Sequence, residues 1–167
     1  MRRSSPLPPA GASFLTLDSI PRGARDALAA QAPDFVPWSP DGYLPAARDS
    51  AQPSSDEGLS IVRSRFRVPN AVDYVVAGYD RRLHALRIVA ILTQPADSSY
   101  RVISVSDGPE RPDSIGGRPD RYLSVDSTSV AGRIHLLVVP IGGGAPVNTQ
   151  RYVWVPARGE FLLVTPN

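Results

Sequence analysis

Between residues 61 and 93 the hydrophobic and polar positions change their rhythm twice. From 62 to 68, Val62, Ser64, Phe66 and Val68 alternate with Arg63, Arg65 and Arg67. A period of two predicts a β-strand, with three guanidinium groups on one face. Residues 72–79 and 83–93 read as the next two strands, joined at 80–82. In the second of these, one face carries His84, Leu86, Ile88, Ala90 and Leu92, and the other Ala85, Arg87, Val89, Ile91 and Thr93. Both faces are largely apolar, as expected of a central strand covered on two sides.

A period of four marks the one helix, over residues 20–32. Ala24, Leu28 and Ala32 share a face, Pro21 suits the first helical position, and Pro33 ends the run. Its apolar stripe is made of small residues, so it is expected to lie close on a sheet as one of the two covers. Residues 34–50 place Phe35, Val36, Trp38, Tyr43 and Leu44 between the four prolines Pro33, Pro37, Pro40 and Pro45, which predicts a strand-like pass and then a short turn of helix at 44–48. Trp38 and Tyr43 either cover an edge of the core or stack on a ligand or partner. Further strands are expected at 100–106, 122–125, 133–139, 151–155 and 160–164, with a hairpin turn at 156–159. Residues 51–58 and 107–120 read as polar loops.

Composition sets the class. The 167 residues suffice for one domain, and 18 Pro with 13 Gly divide the chain into short elements. The expected architecture is α+β: an antiparallel sheet of six to eight strands with one N-terminal helix packed on it. Residues 20–167 form that domain, and residues 1–19, rich in Pro, Ser and Ala, form an extended tail.

The absent residue types exclude whole chemistries. Without Cys there is no disulfide, thiolate nucleophile or Cys-ligated metal. All 18 basic residues are Arg, so a Walker A lysine and a Schiff base are excluded as well. The net charge of +2 is uneven: residues 58–106 carry seven Arg against three acids. That excess is too small, and too poor in interleaved aromatics, for a nucleic-acid binder. No apolar run approaches the length of about 20 residues that spans a bilayer. No signal-peptide pattern follows Arg2 and Arg3.

Catalytic constellations are also not visible. His84 and His135 each fall within an apolar strand pattern, no Gly-x-Ser-x-Gly elbow occurs, and the one adjacent acidic pair, Asp56 and Glu57, lies in a polar loop. The Gly-rich stretch around Gly142–Gly144 is followed by Pro146 and polar residues, which points to a loop and not to a phosphate-capping helix. No catalytic residue, cofactor or metal is expected.

At residues 64–75 the string SRFRVPNAVDYV resembles a degenerate calcium loop of the FG-GAP or VCBS type. Its setting is similar to small extracytoplasmic bacterial proteins with an N-terminal helix, one such loop and a C-terminal Tyr-x-Trp hairpin, here Tyr152, Trp154, Phe161 and Val164. Phe66 and Asp73 match the pattern, but Arg65, Arg67 and Pro69 stand where the metal ligands would be. Calcium needs six to eight oxygen ligands, and arginines repel it. The guanidinium groups would instead bridge to Asp73 or Asp80.

The resemblance implies a periplasmic location. The leading expectation for function is a non-enzymatic accessory subunit docking on a larger assembly, with peripheral membrane association and photosynthetic reaction-centre or light-harvesting complexes among the candidate hosts. Its protein partners would meet Arg63, Arg65, Arg67, Arg81, Arg82, Trp38 and Tyr43. The alternative is a stand-alone binder of an anion through Arg63, Arg65 and Arg67, and the third reading is a hydrolase-type enzyme. The arginine stripe also has a plain explanation, a solvated face neutralised by neighbouring carboxylates. Titration calorimetry is expected to detect no calcium binding tighter than about millimolar, the weak end of protein calcium sites.

Overall fold

A computed structural model describes residues 15–45, 56–106, 119–127, 133–141 and 149–164. The expected tail up to residue 14, the helical turn beyond residue 45, most of the 107–120 loop and the Gly142–Gly144 loop lie outside the described residues. The elements run α1 (Arg22–Gln31), β1 (Phe35–Pro37), β2 (Ile61–Ser64), β3 (Asp73–Asp80), β4 (Ala85–Thr93), β5 (Tyr100–Ser106), β6 (Arg121–Asp126), β7 (His135–Pro140), β8 (Gln150–Val155) and β9 (Glu160–Leu163).

Among the described residues the chain is mostly antiparallel sheet with one α-helix, as expected, but the strands divide into two sheets. The first has five strands in the order β1-β3-β4-β5, with β2 also paired to β3; the second is the meander β6-β7-β8-β9. A single sheet of six to eight strands is therefore corrected to sheets of five and four among the described residues. The reason lies in β4, whose two apolar faces need two covers. Val89 and Ile91 pack with Ala24, Leu28 and Ala32 of the helix region. Ile88, Ala90 and Leu92 pack with Leu123, Leu136, Val138, Tyr152 and Phe161 of the second sheet. The result is three layers: helix, sheet, sheet.

Small residues let the helix approach. A methyl group added at Gly23 would meet the Tyr100 ring at 3.2 Å. At the end of the helix, Gln31 reaches the outer edge of β5. Its Nε2 donates to the Tyr100 carbonyl at 3.0 Å, and its Oε1 accepts from the Val102 amide at 2.9 Å. One side-chain amide thus stands in for a neighbouring strand on an otherwise open edge. The edge of β6 is closed similarly: the Leu123 amide donates to the Leu59 carbonyl and the Val125 amide to the Glu57 carboxylate.

β3 carries two partners along one side. Phe35, Val36 and Pro37 pair with Asp80, Tyr79 and Gly78, while β2 pairs with residues 73–76. Between them, the Ala77 amide donates to the Ser60 carbonyl and the Ala77 carbonyl accepts from the Trp38 amide. The buried Ser60 hydroxyl donates to the Trp38 carbonyl at 2.7 Å, closing the gap. The domain also begins earlier than composition implied. Leu15 is buried in the helix-side core, and Thr16 precedes a short 3-10 turn at Leu17–Ser19, so residues 15–19 pack with the domain.

Gly78 is where β1 crosses closest to β3. An added methyl would lie 2.3 Å from the Val36 carbonyl oxygen and 2.7 Å from the Phe35 ring. Gly78→Ala is therefore expected to lower stability by about 3 kcal/mol, the upper range for overpacking, measured as a reduced urea midpoint with an unchanged slope.

Candidate functional site

The three arginines of the alternating stretch do not share a face. β2 ends at Ser64, opposite Asp73, because the chain turns at Pro69 and Asn70 and leaves residues 65–68 without a strand to pair with. The alternation is present in the sequence, but the ladder is not. Arg63 donates from Nε to Asp56 Oδ1 at 2.8 Å. Arg65 is exposed and makes no hydrogen bond or ion pair among the described residues. Arg67 turns inward.

Arg67 and Asp73 form a buried, two-pronged ion pair. Nε and Nη2 donate to Oδ2 and Oδ1 at 2.8 and 2.7 Å; Asp73 is fully buried and the Arg67 side chain is 13% exposed. The Thr93 amide donates to Asp73 Oδ1, and Arg67 Nη2 donates to the Thr93 carbonyl. The pair therefore completes the β3–β4 hydrogen bonding at Thr93, the last residue of β4, with side-chain groups. The guanidinium also lies 5.7 Å from the centre of the Trp154 ring, within cation–π range. Trp154 packs edge-on to Phe161, and Phe161 edge-on to Phe66, which ties the 65–72 connection to the β8–β9 hairpin.

A second buried aspartate closes the far end of β3. Asp80 accepts from the Arg82 and Leu83 amides at 3.0 and 2.9 Å and from Arg87 Nη1 at 2.9 Å. Burial alone would raise its pKa, but the Leu83 amide, Arg87 and the Arg82 amide together hold it below the ordinary carboxylate value. Arg87 is steadied in turn by the Ser104 hydroxyl. Of the loop guanidinium groups expected to bridge to Asp73 or Asp80, Arg67 bridges to Asp73 and Arg65 reaches neither; the partner of Asp80 is Arg87, within β4.

Asp80 fixes the β3–β4 turn, residues 81–84, where Arg81, Arg82, Leu83 and His84 are all exposed. Leu83 is 51% exposed, and His84 adopts φ +50° with its Nδ1 3.3 Å from the Tyr79 hydroxyl. The strand expected from residue 83 starts at Ala85, so Leu83 and His84 belong to the turn. Of the two arginines expected to meet a partner here, Arg82 lies 3.8 Å from Asp34, and the Arg81 guanidinium makes no ion pair among the described residues.

Trp38 and Tyr43 are core residues, 7% and 3% exposed, and their expected place on a contact surface is corrected accordingly. Ser39 caps a 3-10 turn at Pro40–Gly42 that swings Tyr43 inward, edge-on to Trp38. The Tyr43 hydroxyl reaches the Arg121 carbonyl at 2.9 Å and the Leu59 carbonyl at 3.3 Å. It therefore joins the first edge of one sheet to the first strand of the other. Burial, and secondarily the Asp120 charge, push its pKa far above the ordinary phenol value, so it is a hydrogen-bond donor and not an acid.

Arg63, Ser64 and Arg65, with Asp56, Val72 and Ile134, line a surface depression of about 380 Å³. Ile134 comes from just before β7, far away in sequence, and nothing in the alternating pattern marks it. Among the described residues no three acidic or histidine side chains converge to hold a metal ion, and no helix is long and apolar enough to cross a membrane. Comparisons with protein-family models, with curated proteins and with solved structures find no match to this chain.

The Asp80 cluster has a definite pH signature. A carboxylate with a depressed folded pKa adds stability above its unfolded pKa and loses it as pH falls through the folded value. Asp80→Asn keeps an acceptor for the turn amides but removes the charge facing Arg87. It is expected to cost about 2 kcal/mol near neutral pH, and the gap to the parent protein should shrink as pH falls below about 4, read from urea denaturation across that range.

Proposed function

We propose that the protein is a non-enzymatic interaction domain, an accessory subunit that docks on a larger protein assembly through the β3–β4 turn. The observation that carries this reading is an exposed leucine beside two arginines on a turn whose backbone is fastened from beneath by a buried carboxylate. Leu83 projects beside Arg81 and Arg82, and the amides of Arg82 and Leu83 are held by Asp80. A rigid tip loses little conformational freedom on binding, so more of its contact energy appears as affinity. The two arginines beside Leu83 also match the composition of interface hot spots, where Arg is enriched.

The chemistry of the tip defines the partner surface. It should offer an apolar recess for Leu83, ringed by carboxylates for Arg81 and Arg82. β1, beside the turn, adds a further exposed apolar side chain, Val36. The periplasmic setting and the membrane-complex host belong to this proposal only as the context that the loop resemblance implies. The docking surface does not depend on them.

A photo-crosslinking residue at position 83 is expected to capture one defined partner from native extracts. The variant Arg81→Glu/Arg82→Glu should weaken that complex at least about tenfold while leaving the melting temperature within about 2 °C of the parent, as for exposed substitutions. Capture that persists in the charge-reversed variant, or that occurs equally from an exposed position remote from the turn, would rule the tip out as the docking surface.

A further inference from the structure

At the opposite end of β3, Arg63 pairs in register with Tyr74, near the start of the strand whose end carries the docking turn. The depression beside it is thus a separate surface. Its lining has two guanidinium groups, one hydroxyl and one carboxylate, from Arg63, Arg65, Ser64 and Asp56, together with the half-buried apolar side chains of Val72 and Ile134.

The charges do not cancel. Asp56 neutralises Arg63 through the 2.8 Å contact at Nε, and Arg65 has no acidic partner among the described residues. The lining therefore carries one surplus positive charge. That balance suits a monoanion: a phosphate dianion entering the same space would also face the Asp56 carboxylate at short range. A guanidinium offers parallel N–H donors matched to the two oxygens of a carboxylate. A volume of about 380 Å³ lies within the range of small-molecule sites, and Val72 and Ile134 in its lining offer apolar contact to a hydrocarbon group attached to the anion.

We propose that this depression binds a carboxylate bearing a short aliphatic group, with Arg65 as the main anion contact and Val72 and Ile134 against the aliphatic part. Such a ligand occurs either as a free carboxylic acid or as the C-terminus of a peptide ending in an aliphatic residue. Both sources present the same chemistry. Arg63 then serves as a positioning residue, its charge already satisfied by Asp56. The three-arginine anion site expected from the alternating stretch is reduced to one principal contact, because Arg67 is committed to Asp73.

Titration calorimetry of the full chain at low salt provides the test, with sodium pentanoate, acetate, inorganic phosphate, and a short peptide ending in valine with a free or an amidated C-terminus. Saturable binding of pentanoate or of the free-carboxylate peptide is expected, weakened at least about tenfold by Arg65→Gln, with acetate, phosphate and the amidated peptide binding more weakly. Pentanoate binding identifies a site open to free acids, and binding of the peptide alone identifies a terminus-recognition site. The proposal is overturned if neither aliphatic carboxylate saturates, if phosphate binds as well as they do, or if Arg65→Gln leaves binding unchanged. Arg65 is exposed and has no partner among the described residues, so this variant should fold as the parent does, which its thermal midpoint will verify.

Discussion

Two buried aspartates at the ends of one strand set the frame of this molecule. Asp73 opens β3 and Asp80 closes it, and each is out of contact with water. A carboxylate in that position is tolerated only with full hydrogen bonding and a counter-charge. Arg67 with the Thr93 amide supplies both at one end; Arg87 with two turn amides supplies both at the other. Buried ion pairs of this kind contribute little net stability compared with well-packed apolar groups. Their effect here is geometric: one determines where the β3–β4 ladder stops, and the other fixes the backbone of the turn that begins it.

From that frame the layers follow. β3 and β4 together expose apolar side chains on both faces, so neither face can be left to solvent. The helix covers one with alanines and leucine, and the second sheet covers the other with larger side chains and aromatic rings. The junction between the sheets is then reinforced by polar contacts made from inside the core. Tyr43 donates to backbone carbonyls at the junction, and Glu57 accepts from the Val125 amide of β6. These contacts also close strand edges that could otherwise pair with another chain.

Much of this was readable from the residues. The two-faced pattern of 83–93 announced a central strand with two covers, and the fourfold spacing of Ala24, Leu28 and Ala32 announced the helix that provides one of them. The second cover was not readable as such. Strands β6 to β9 were legible singly, but no local signal distinguishes a continuation of one sheet from the start of another. That choice is made by tertiary packing, through contacts such as Leu123 and Phe161 against β4. Among the site residues, the stripe of Arg63, Arg65 and Arg67 misled because period-two alternation marks a strand only where a partner strand continues. For Trp38 and Tyr43 the sequence leaves open a core edge or a contact surface, and the 3-10 turn at Pro40–Gly42, which brings Tyr43 inward, decides for the core. Leu83 was assigned to a strand by hydrophobicity alone, and the turn was decided instead by Asp80 taking the amides of Arg82 and Leu83.

The absence of lysine gives these assignments a common logic. Every cation in the chain is a planar, permanently charged group, so a guanidinium is either matched by an acceptor within the fold or presented to solvent with its charge intact. Arg67 and Arg87 are matched by buried carboxylates, and Arg63 by a surface one. Arg65 and the Arg81 guanidinium are not matched among the described residues, and they stand near opposite ends of β3. The same strand that requires buried arginines for its own aspartates therefore separates two uncompensated charges by most of its length, about 20 Å for a strand of this size. At that distance, beyond a Debye length in physiological salt, neither charge alters the attraction of an anion to the other. The two proposed surfaces, the turn fixed by Asp80 and the depression lined by Arg63 and Arg65, would then act independently.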